Sequence, residues 1–159
     1  MNDEPFDPDA PLVLAQFLPY RLSVLSNRLS TALSESYSER FGLTIPEWRV
    51  IAVVALEPGL SAAEVGERTA MDKVAVSRAV RRLMDTGRLR REMAAGDRRR
   101  SVLELSPEGL ALYRRITPAL RRYEAELLAA FKPRERKQLD ALLRRLERRA
   151  PALQPPRID

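Results

Sequence analysis

Residues 44 to 86 carry three helix-start signals in close succession, and the hydrophobic period changes directly after them. Few folds accept that order. Thr44-Ile45-Pro46-Glu47 has the spacing of a capping box with proline in the first turn; Trp48, Ile51, Ala52, Val53, Ala55 and Leu56 then supply an apolar helix that Pro58-Gly59 ends. Ser61-Ala62-Ala63-Glu64 is a second capping box and opens a short helix through about Arg68. Asp72 is the N-cap of a third helix, which runs to Thr86 and stops at Gly87. Beyond Gly87 the period is two: Leu89, Arg91 and Met93 alternate with Arg90 and Glu92, and Val102 and Glu104 alternate with Leu103 and Leu105. With Ala94 to Arg98 as turn chemistry, the segment predicts a two-stranded hairpin.

Helices flank this block. A long one is expected over 12–40, entered through an irregular turn at Pro19, with an apolar stripe of Leu18, Leu22, Leu25, Leu29, Ala32 and Leu33. A strip of polar but uncharged residues, Ser23, Ser26, Asn27, Ser30, Ser34 and Tyr37, faces protein or a cavity in preference to bulk water. Ser106-Pro107-Glu108 caps another long helix to about Lys132, which Pro118 should kink or break, and Pro133 starts a last one with Leu139, Leu142, Leu143 and Leu146 in a stripe. The expected fold is therefore mainly α with a small two-stranded β wing: a winged helix-turn-helix module over 44–106, a helical dimerisation region over 12–40 and 107–150, and loose tails at 1–11 and 151–159.

The chain has no cysteine and no histidine, which removes disulfides, thiolate chemistry, the commonest general base and the commonest metal ligand together. No glycine-rich phosphate loop or carboxylate constellation replaces them, so the sequence argues against an enzyme and implies neither cofactor nor metal. No apolar run long enough for a membrane span and no signal peptide is found, from which a cytoplasmic protein is expected. The formal charge is +6 but unevenly spread: residues 1–67 are net acidic, whereas 68–101 and 114–149 are strongly basic. A polyanionic partner is expected, and two segments compete for it.

The third helix of the block decides between them. On a helical wheel Ala75, Val76, Ala79, Val80 and Leu83 share one side, and Lys73, Val74, Ser77, Arg78 and Arg81 share the other. In a helix-turn-helix that helix enters the major groove, where arginine takes guanine O6 and N7 together, lysine and serine reach phosphates or base edges, and Val74 suits a thymine methyl. Ser61 and Thr69, at the ends of the short helix, are candidates for the DNA backbone. At the hairpin turn, Asp97, Arg98, Arg99 and Arg100 place guanidinium groups where a narrow minor groove accepts them, with Asp97 able to brace a neighbouring arginine. A basic helix face or a charged turn taken alone is as well explained by solvation, and it is their order along one chain that carries the reading.

That order resembles the MarR family of bacterial regulators. The resemblance runs from the long first helix through Thr44-Ile45-Pro46-Glu47-Trp48-Arg49-Val50, Val76-Ser77-Arg78-Ala79-Val80-Arg81-Arg82-Leu83, the Gly87 to Arg91 stretch, and Asp97-Arg98-Arg99 followed by Leu105-Ser106-Pro107-Glu108-Gly109. It implies a homodimer held by helices from both ends of the chain, which presents two winged modules to a pseudo-palindromic operator. Asp97 would anchor the wing, Arg99 would enter the minor groove, and Arg98 and Arg100 would be accessory. It further implies a repressor released by a small aromatic or anionic effector in the crevice between dimerisation helices and winged module. Ser23, Asn27, Ser30, Tyr37, Trp48 and Arg49 are the candidate lining. Two other readings stay open: a non-specific architectural DNA-binding protein, and a helical adaptor whose basic C-terminal helices bind an acidic protein.

Overall fold

The computed structural model describes residues 10–94 and 97–154; of 94 and 97–100 only the backbone is described. The order is α1 (Leu18–Phe41), α2 (Ile45–Leu56), α3 (Ala62–Thr69), α4 (Lys73–Asp85), β1 (Leu89–Ala94), β2 (Asp97–Leu105), α5 (Pro107–Ala129) and α6 (Pro133–Arg149), with a 3₁₀ turn at Ala150–Ala152. The chain forms two compact units, one to Ala119 and one from Leu120, and the division falls inside α5, one residue beyond Pro118.

The capping signals act as the sequence implies. Thr44 Oγ1 accepts from Glu47 N and Glu47 Oε2 accepts from Thr44 N; Ser61 and Glu64 repeat the exchange, and Asp72 accepts from Ala75 N at 2.8 Å. Each box satisfies helix-end donors that would otherwise face the core or water unpaired. The first helix differs from expectation, because it begins at Leu18 with Pro19 in its first turn and a separate turn of chain precedes it, closed by Gln16 N donating to Val13 O. Proline has no N–H to donate, so the helix starts around it and Leu12 to Phe17 stay outside. At its other end Gly42 takes φ 62, and Arg88 Nη2 donates to Phe41 O at 2.7 Å while Arg40 and Arg115 lie over the Phe41 ring.

The core of the first unit is built where α2, α3, α4 and the hairpin meet. Val50, Ile51, Val54, Val65, Leu83 and Leu103 are almost fully buried there, joined by Val76, Val80 and Leu89. From α5, Leu112 and Ile116 add to the unit's buried residues. The strands pair antiparallel from Leu89↔Leu105 to Met93↔Ser101 and then shift register to Ala94↔Asp97, which leaves residues 98–100 of β2 between the two registered pairs. The strands therefore extend further than the period-two residues indicate, and of the expected turn only 95 and 96 remain, outside the described residues. Leu60 adds an isolated bridge to β2: Leu103 N donates to Leu60 O and Gly59 N donates to Leu103 O. Ser106 Oγ donates to Gly87 O and accepts from Gly109 N, and a Cβ on Gly109 would fall on the Arg88 carbonyl oxygen. The serine and glycine of Leu105-Ser106-Pro107-Glu108-Gly109 thus weld α5 to the hairpin.

Helix α5 is continuous through Pro118. Proline at that point removes one ladder donor, and Thr117 Oγ1 donates to Tyr113 O beside the gap. In the second unit no residue of α6 is buried, and Leu142, Leu143 and Leu146 expose 39–47% of their surface.

Candidate nucleic-acid interface

Helix α4 separates its two faces sharply. Val76, Ala79, Val80 and Leu83 are buried, whereas Lys73, Ser77, Arg78 and Arg81 are exposed and Val74 is 57% exposed. At 100° per residue these last five span an arc of about 140° along roughly two and a half turns, which is the width an α-helix presents to a major groove. Among the described residues neither Arg78 nor Arg81 has an ion-pair partner, so their guanidinium forks are available to a ligand.

The neighbouring Arg82 is different. Its Nε lies 3.1 Å from Glu47 Oε1, and Glu47 is only 3% exposed while its other oxygen caps α2. One carboxylate therefore closes the first turn of α2 and holds α4 at the same time, a role that the capping-box spacing alone does not reveal. Arg91 of β1 was also not singled out by sequence pattern. It lines, with Lys73, Ser77, Gly66 and Met71, a groove of about 510 Å³ beside α4, so the first strand of the hairpin adds a cation next to the recognition face. No local signal could have placed it there, since the proximity is made by the fold.

The other candidates divide. Ser61 is occupied as an N-cap, and the Thr69 hydroxyl donates to Val65 O at 2.7 Å, which commits its proton within α3. Asp97, Arg98, Arg99 and Arg100 belong to β2 by backbone, and their side chains lie outside the described residues. Of the crevice candidates the fold brings four together. Tyr37 and Trp48 lie 5.6 Å apart at ring centres, and Arg49 Nη2 donates to Ser30 Oγ at 3.4 Å. Tyr113 of α5, missed in the sequence because its partner is distant along the chain, stacks on Trp48 at 5.9 Å. Burial raises the Tyr37 phenol above its ordinary pKa, partly opposed by the Arg49 charge. Ser23 and Asn27 are exposed on the N-terminal half of α1 and do not join the cluster. The neutral strip is thus wet at one end and buried at the other.

Among the described residues no acidic cluster suits a metal ion, and no helix is long and apolar enough to cross a membrane. A family model described as the MarR family matches residues 41–100, the stretch from the end of α1 into β2. The HTH-type transcriptional repressor Rv2887 of Mycobacterium tuberculosis is 30% identical over 87% of this chain and 94% of its own length. The PcaV regulator of Streptomyces coelicolor, solved with its natural ligand, superposes with a TM-score of 0.74 at 30% identity, covering 89% of this chain and 99% of PcaV. A MarR/EmrR family regulator from Acinetobacter reaches a TM-score of 0.82 at 26% identity, over 89% and 100% of the two chains. The matched segments contain the capped helix-turn-helix and its hairpin, and the chain belongs to the MarR family of transcriptional regulators, which are DNA-binding proteins and not enzymes.

Proposed function

We propose that this regulator is a cytoplasmic homodimeric repressor that binds a pseudo-palindromic operator through α4 and the wing and is released by a small aromatic or anionic molecule. The observation that carries the DNA reading is the exposed, unpaired face of α4: Lys73 and Ser77 toward the backbone or base edges, Arg78 and Arg81 toward guanine, Val74 toward a thymine methyl. Asp97, Arg98, Arg99 and Arg100 extend the contact into the minor groove, and Ser61 and Thr69 flank the phosphates near the turn.

The dimer reading rests on unpartnered apolar surface in both units. Leu12, Val13, Leu14, Phe17, Leu22 and Leu25 are exposed around the start of α1, as are the leucines of α6. On this reading 12–40 and 107–150 serve dimerisation and 44–106 binds DNA. The effector reading is supported by the Tyr37, Trp48 and Tyr113 rings set beside Arg49, a chemistry that suits an aromatic acid, and by the natural ligand bound to PcaV.

Selection of duplexes from a random-sequence library at near-physiological salt tests the proposal. Enrichment of an inverted repeat with half-site centres about one helical turn apart is the expected result. Retention without enrichment would instead establish an architectural protein, and absence of retention would point to an adaptor.

A further inference from the structure

Glu47 and Trp48 are consecutive residues in the first turn of α2, and each is held by a different part of the fold. The Glu47 carboxylate, 3% exposed, takes Arg82 of the recognition helix at 3.1 Å and the Thr44 amide at 2.9 Å. The Trp48 ring contacts both Tyr37 of α1 and Tyr113 of α5, and the next residue, Arg49, reaches Ser30 of α1. That one turn is thus tied to α1, α4 and α5 at once. Displacing the indole shifts the turn that carries Glu47, and the buried carboxylate, which also caps that turn, moves with it and changes the hold on Arg82, whose own side chain is 65% exposed. The same linkage must run backwards: seating α4 in a groove moves Arg82 and is felt at Trp48.

We propose that the Glu47–Arg82 ion pair is the positioning contact that couples the aromatic cluster around Trp48 to the placement of the recognition helix on DNA. This rests on the reading of the chain as a DNA-binding regulator. Arg82 acts through Glu47 and α4, not by touching a base, which also explains why it leaves the basic face to Arg78 and Arg81.

Trp48 is the sole tryptophan, so it reports its own surroundings. The full-length protein is titrated with the duplex recovered by selection; occupancy is followed by anisotropy of labelled DNA and, in parallel, Trp48 emission is recorded. The wild type is expected to show an emission change that tracks occupancy. Glu47→Gln keeps the cap, since glutamine serves in a capping box, but removes the charge. That variant and Arg82→Met are expected to bind with most of the emission change gone and with the ratio of specific to mismatched affinity lowered about 3- to 10-fold. Arg82→Lys should restore both. Complete binding with unchanged Trp48 emission in the wild type overturns the coupling while leaving the regulator reading intact, as does an Arg82→Met variant that responds like the wild type. Absence of binding to any duplex overturns both, and the anisotropy shows which case holds.

Discussion

Ala70 closes α3 at φ 52, in the left-handed region that a Cβ disfavours, at the turn that sets α3 against α4. It is exposed, so glycine there loses no packing. Ala70→Gly should therefore stabilise the protein by about 0.5–1 kcal/mol net, the relieved strain exceeding the extra freedom of glycine in the unfolded chain. Chemical denaturation measures it, and a destabilised variant would mean that the turn relaxes on its own. Arg81 and Arg82 make the opposite point about adjacent side chains of one type. Arg82 is tied to Glu47, whereas Arg81 faces outward without a partner among the described residues. Arg81→Ala is expected to lose roughly 1–3 kcal/mol of discrimination between the preferred base pair and a mismatch, read by competition between duplexes. A loss equal for all sequences would reassign Arg81 to phosphate contact.

At the scale of the element, the start of α4 is the exposed place where local chemistry and function coincide. Asp72 accepts from Ala75 N, and the next two residues, Lys73 and Val74, belong to the candidate DNA face. Asp72→Ala should cost about 1 kcal/mol of stability and weaken DNA binding by fraying that first turn, while Asp72→Ser retains both. Equal DNA affinity for the alanine variant would show that the turn is ordered by DNA instead of by its cap. Such caps explain why α2, α3 and α4 were legible: each is announced by a side chain within three residues of its start. The buried face of α4 was legible for a related reason, because Val76, Ala79, Val80 and Leu83 repeat at helical spacing. What the sequence concealed is made between distant segments: Glu47 with Arg82, Leu60 with Leu103, Tyr113 against Trp48, Arg91 beside Lys73. Side-chain periodicity states which face is apolar and leaves open what will cover it. Ser23 and Asn27 are an instance: exposed on the single chain, they lie in the stretch proposed for dimerisation.

For the whole molecule the apolar surface left open is the largest unexplained quantity. No residue of α6 is fully buried, and the chain around the start of α1 exposes seven large apolar side chains, a distribution that a soluble monomer avoids and an obligate partner removes. A stable dimer buries on the order of 1,200–2,000 Å² in total, and exposed leucine and phenylalanine stripes in both units are suited to supply it. The proposal has a thermodynamic signature, because association stabilises the native state by mass action: the midpoint of unfolding should rise with protein concentration. Replacing Leu142 and Leu146 together by glutamate places two charges on the α6 stripe, and the variant is expected to sediment as a monomer. It should keep its affinity for a single half-site, since α4 is untouched, and lose about a hundredfold in affinity for the full inverted repeat, where a dimer makes the second contact at high effective concentration. Equal affinities of variant and wild type for the full repeat would show that the two winged modules bind independently, and a variant that still sediments as a dimer would move the interface away from α6 to the chain around the start of α1.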